Sequence, residues 1–187
     1  MRPAVREMAR TVHPELAGAV LTALARHAGP SPLPSSLPSS LQQQPPFQPP
    51  GPAETEAGRL LADGAAVPEA LHRELLAALH VRGRAAVLDA GRALFERPRD
   101  PLLRGLMAAP DVPALLARAR PVEPWLYAGH RTRSTLRTGE LTVRHLAYLG
   151  RPPALAETLF VCAVHTAAVA AVTGRPVDAT LLAADRP

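Results

Sequence analysis

No lysine occurs in the chain, so all 21 of its Lys-plus-Arg positions are arginine, set against 16 Asp and Glu for a net charge of +5. A basic balance is one footprint of nucleic-acid binding. Here the arginines are spread along the chain without a dense block or a recognition motif, and abundant Ala, Pro and Gly beside them point to GC-rich coding. Direct DNA binding by this chain alone is therefore not expected. Cysteine is nearly absent: Cys162 alone excludes an internal disulfide and a multi-cysteine zinc site. Aromatic residues make up only 3% of the chain while apolar residues make up 47%, so the core has to be built from Ala, Leu and Val, which suit helix packing better than sheet. Long uncharged apolar runs are lacking outside residues 154–173, and that segment carries Glu157 and His165. No membrane span is expected, nor does the arginine-bearing start at residues 1–10 have a signal-type apolar stretch; the expected location is the cytoplasm. Glycines are isolated and never form GxxxxGK or GxGxxG, and no GxSxG, HExxH or paired-carboxylate pattern occurs. An enzyme is disfavoured, and no catalytic residue, metal ligand or cofactor is assigned.

What is present falls into three parts. Residues 1–29 hold an amphipathic helix, with Pro14 suited to its first position, Leu16, Val20, Leu21 and Leu24 at helical spacing, and Gly29 closing it. Residues 30–58 read as a disordered Pro/Ser/Gln-rich linker: nine prolines fall between Pro30 and Pro52, which forbids regular structure. Residues 59–187 read as an α+β domain in which helices come first and a small antiparallel sheet last. Within it, Pro68 opens a helix with a Leu71, Leu75, Leu76, Leu79 stripe and with His72, Arg73 and Glu74 off that stripe. A further helix runs from Gly83 to Glu96, and shorter helical turns carry Leu102 to Met107 and Leu115-Leu116. Ser134–Thr138 and Leu141–Leu146 around Gly139-Glu140 predict a β-hairpin. Ala154–Thr173, ended by Gly174, predicts a helix apolar on most faces and hence buried, and Val177–Leu182 predicts a third strand.

Chemistry-bearing residues concentrate near that sheet. Cys162 and His165, three apart on the helix, share a face and could serve as metal ligands or as nucleophile and base. No third ligand or orienting carboxylate is placed by the sequence, and a packed interior is the simpler setting for both. Trp125 and Tyr127 follow Pro121 and Pro124 into the sheet and suit the wall of a small-molecule pocket, where Arg131, Arg133 or Arg137 could pair with an acidic ligand. The candidate ligand-binding set is Trp125, Tyr127, Arg131, His145 and His165; the competing reading is that the two aromatics only fill a core short of large side chains.

The stretch Met8-Ala9-Arg10-Thr11-Val12-His13-Pro14-Glu15-Leu16 leading to His27-Ala28-Gly29, with Val67-Pro68 opening a Leu-rich helix, resembles the N-terminal effector-sensing domain of AraC-type transcriptional regulators of the larger, non-cupin kind. Leu141–Tyr148, Ala156-Glu157, Thr173-Gly174-Arg175-Pro176, Leu181-Leu182 and Arg186-Pro187 resemble the strand, helix, turn and strand late in that domain. The resemblance implies a module for sensing a small-molecule effector and for dimerisation, normally followed by two helix-turn-helix units. No such pattern follows Gly174, so it implies a truncated regulator without its DNA-binding half. The Pro-rich insertion implies a loosely tethered first helix. A protein partner engaged by the N-terminal helix and the Pro-rich arm of a stand-alone interaction module is the alternative.

Overall fold

The computed structural model describes residues 11–28, 50–96, 100–121, 130–147 and 153–180. Among them are seven helices and two small antiparallel two-stranded sheets, an α+β arrangement. β1 (Thr11–Val12) pairs with β2 (Val67–Pro68), Val12 opposite Val67, and so pins the entry of the first helix to that of the third.

α1 (Pro14–Arg26) begins with Pro14 in its first turn, and His13 Nδ1 accepts from the Glu15 amide at 3.3 Å. That fixes the proton on His13 Nε2, which faces Asp100 Oδ2 at 3.3 Å. Leu16, Ala17, Val20, Ala23 and Leu24 are buried. The first helix is thus a central core element and not a loosely tethered one. The periodicity that marks it as amphipathic is satisfied within the chain, against α3 (Glu69–Val81) and α4 (Arg84–Glu96).

α2 (Pro52–Ala62) begins inside the stretch expected to be a linker over residues 30–58, so regular structure starts at Pro52 and not after residue 58. Pro52 is pre-set for the first helical turn, and Arg59 bridges Glu56 at 2.8 Å and Asp63 at 3.1 Å along its outer face. Only Ala57 of this helix is buried, so its apolar signal is too thin to stand out from the prolines before it.

In α3, His72 is buried beside Leu75, Leu76 and Leu79 rather than lying off the stripe. Positions 72, 75, 76 and 79 are one helical face, and the His72 ring meets Phe160 edge to face at 5.6 Å. α5 (Pro101–Met107) is capped by Asp100, whose Oδ1 accepts from the Leu102 amide at 2.7 Å, and α6 (Val112–Ala119) by Asp111, whose Oδ1 accepts from the Ala114 amide at 2.8 Å.

β3 (His130–Arg137) and β4 (Glu140–Ala147) form the expected hairpin; β3 starts four residues earlier than the sequence suggests and ends one earlier, and β4 is one residue longer at each end. Its two-residue turn is Thr138-Gly139, with φ of 45° and 81°; positive φ at both positions is the type I′ geometry that matches strand twist. α7 (Leu155–Thr173) starts with the Ala154 amide donating to Glu157 Oε2 at 2.6 Å and stops at Gly174, φ 64°. Its crossing with α4 is close: a Cβ on Gly91 would lie 2.5 Å from the Ala163 carbonyl carbon.

Two expectations change here. α7 is buried only over its first half, where Ala156, Glu157, Leu159, Phe160, Val161 and Ala163 are enclosed; from Val164 onward it is half-buried or exposed. Its length and hydropathy alone would suit a membrane crossing, but the buried half is a wall of the core, with Phe160 fully enclosed. The strand expected at Val177–Leu182 is irregular chain over Val177–Thr180, while Leu181 and Leu182 lie outside the described residues. Ala179 gives its carbonyl to Arg84 Nη2 at 3.4 Å, on the α4 side, instead of joining a ladder with β4.

Candidate functional site

The half of α7 that the core leaves open forms the floor of a cleft of about 770 Å³. One wall is the hairpin and the other is the segment Arg175–Thr180. On the hairpin wall, Leu141, Val143 and His145 sit on the half-buried face of β4 and Leu136, paired with Leu141, faces the same way from β3, while Gly139, Glu140 and Thr142 also border the cleft. The floor follows from helical spacing, since Thr158, Val161, Cys162, His165, Thr166, Val169 and Thr173 recur along one face of α7. From Thr158 to Thr173 that face extends about 22 Å at 1.5 Å per residue.

The polar groups of the cleft are held in set orientations. Thr158 donates its hydroxyl to the Ala154 carbonyl at 3.3 Å, and its oxygen meets His145 Nδ1 at 3.1 Å. With the hydroxyl proton directed to Ala154, the Thr158 oxygen accepts from His145 Nδ1–H, and this contact ties the base of the hairpin to α7. His165 Nδ1 donates to the Val161 carbonyl at 2.9 Å, which fixes the Nδ1–H tautomer. Thr166 and Thr173 each donate to the carbonyl four residues earlier, Cys162 and Val169, at 2.8 Å. These hydroxyls are turned back on the helix and offer the cleft their oxygen lone pairs. Glu140 and Asp178 bring negative charge to the rim and Arg175 brings positive charge.

His145 and His165 from the sequence-derived set are therefore brought together on one cleft. Arg131 is a residue of β3 opposite Leu146, and Trp125 and Tyr127 lie outside the described residues. Arg133 and Arg137 do not line the cleft: their positions alternate to the outer face, opposite Arg144 and Glu140. The cation at the rim is Arg175, which sequence reasoning passed over as part of a turn. Cys162 and His165 both face the cleft, so the packed interior expected for them is not where they lie; Cys162 is half-buried. Among the described residues no three His, Cys, Asp or Glu side chains come together as a metal-ligand group. The threonines were also missed. Their signal was legible as a polar line at Thr158, Cys162, His165, Thr166 and Thr173 on an otherwise apolar helix.

Beyond the segment Pro176–Ala179 lies a second hollow of about 640 Å³, floored by Ala163, Ala167 and Ala170 and edged by Arg84, Leu88 and Arg92 of α4. No protein-family model, curated protein or solved structure matches this chain.

Proposed function

We propose that the chain is a ligand-sensing and dimerisation module of the type that serves AraC-like transcriptional regulators, working in the cytoplasm on a small effector and binding no DNA itself. The observation that carries the reading is the cleft between the hairpin and α7: about 770 Å³, within the range of small-molecule sites, with apolar walls and a few oriented polar groups. Its length, the polar line of threonines and His165 along its floor beside the apolar hairpin wall, and the opposite charges at its rim suit an elongated amphipathic molecule with one ionised end. Recognition rather than catalysis is supported by the hydroxyls and His165 Nδ1 being engaged with backbone carbonyls.

The interaction-module alternative loses its main support, since the apolar face of α1 that would engage a partner is already buried in the core. The test is thermal denaturation against a panel of amphipathic organic acids and amines. A binder at a hundred times its dissociation constant adds about 2.7 kcal/mol to stability, and Val169→Phe, which fills the trough from a half-buried position, removes that gain. A panel in which no compound shifts the wild-type transition, or one whose shifts survive Val169→Phe, overturns the cleft as the sensing site.

A further inference from the structure

Close contact between α4 and α7 at Gly91 and Ala163 leaves one flank of the crossing unfilled. On α7 that flank carries Ala163, Ala167 and Ala170, which recur at helical spacing along one face. Single methyl groups do not fill the space between two helices, and the outcome is the hollow of about 640 Å³ on the far side of Pro176–Ala179 from the effector cleft. Its α4 side is formed by Arg84, Leu88 and Arg92, each four residues from the next. The two arginine positions therefore stand about 12 Å apart along the helix axis, with the half-buried Leu88 between them.

The charges around this trough do not cancel. Its ionisable residues are Arg84, Arg92, Glu96 and Asp178. Both carboxylate oxygens of Glu96 accept from Arg26, at 3.2 and 2.7 Å, which leaves Asp178 alone against two arginines. Arg84 donates Nη2 to the Ala179 carbonyl at 3.4 Å, a neutral acceptor that leaves its charge uncompensated. Arg92 is exposed, and among the described residues no hydrogen bond or ion pair engages it.

We propose that this trough is a second ligand site, for a monoanionic amphiphile whose head is held by Arg92 and whose apolar chain lies along Leu88, Ala167 and Ala170. A guanidinium presents its N–H groups in the fork that a carboxylate or sulfonate matches. The volume is within the range of small-molecule sites, and an alanine floor offers a chain apolar area without polar competitors. The inference goes beyond the effector cleft and does not rest on it: Arg92, Ala167 and Ala170 border the trough alone, and Val169 borders the cleft alone.

Octanoate is the probe, followed by NMR of the intact chain at neutral pH. It is expected to shift the Leu88 amide and the Arg92 side-chain Nε–H, while octylamine does not. Arg92→Gln is expected to raise the octanoate dissociation constant about fivefold or more, the low end for a charge-assisted contact because the guanidinium is exposed. Ala170→Phe, which fills the trough from a half-buried position, is expected to abolish the Arg92 shift, and Val169→Phe to leave it in place. A wild-type chain in which octanoate moves neither signal overturns the site. Shifts that survive Ala170→Phe, or vanish in Val169→Phe, overturn its location, and shifts that octylamine reproduces or that keep wild-type affinity in Arg92→Gln overturn the anionic class.

Discussion

Gly91 and Thr138 are the two residues whose backbone environment carries the strongest constraint. At Gly91 the adjacent helix leaves no room for a side chain: Ala163 carbonyl carbon, Cβ and oxygen would lie 2.5, 2.6 and 2.6 Å from an added Cβ. Alanine gains about 1 kcal/mol of helix propensity over glycine, but two of those three atoms are backbone and cannot swing aside, so overpacking wins. Gly91→Ala is expected to lower stability by about 1–2 kcal/mol net in chemical denaturation, and Gly91→Val by more. Thr138 is a β-branched residue at φ 45°, in a turn where Asn-Gly is favoured. Thr138→Asn is expected to stabilise the hairpin by about 0.5–1 kcal/mol, visible as slower exchange of the hairpin amides. Neither constraint is legible in the sequence: a glycine inside a helix and a threonine before a glycine look ordinary until the crossing and the turn are known. His72 was legible and misread, because its polarity hid the fact that its spacing from Leu75, Leu76 and Leu79 puts it on their stripe.

Among the elements, α2 depends on side chains rather than on burial. Arg82, just past the end of α3, donates Nη1 to the Leu24 carbonyl of α1, and its Nη2 meets Glu54 of α2 at 3.0 Å, with side chains only 22% and 16% exposed. Arg82→Met strands that carboxylate and carbonyl together. The expected loss is about 1–3 kcal/mol in global unfolding, with the amides of α2 exchanging fastest. Along the outer face of α2, the hydrogen bond from Arg59 holds the Glu56 carboxyl below the ordinary glutamate value. A depressed carboxylate gives support that is complete above its unfolded value and is lost as pH falls through the folded one. An NMR titration of the Glu56 side chain is expected to show the lowered midpoint, and Arg59→Ala to return it to the ordinary range. At the base of the hairpin, His145 is hydrogen-bonded to Thr158 of α7. The hairpin's existence was readable from alternation and a glycine turn, but its attachment was not, since a hydrogen bond between residues 145 and 158 leaves no periodic trace.

For the whole molecule, hydrophobic periodicity assigned most helices and the α+β class, and it put His145 and His165 near the same sheet and helix. Periodicity is a local property of the chain, set by which residues share a face, so it survives without knowledge of neighbours. Three further facts belong to tertiary structure alone. α1 is enclosed rather than tethered, because α3 and α4 offer it two apolar faces. α7 is half open, because the core is used up near Ala163 and the hairpin stands off from the rest of the helix, which makes the cleft. Val177–Thr180 is irregular chain rather than a strand, and the Ala179 carbonyl accepts from Arg84 of α4. Each of these depends on where one element ends relative to another, and a strand-like or helix-like pattern fixes what a segment can bury without fixing what it finds to bury it against.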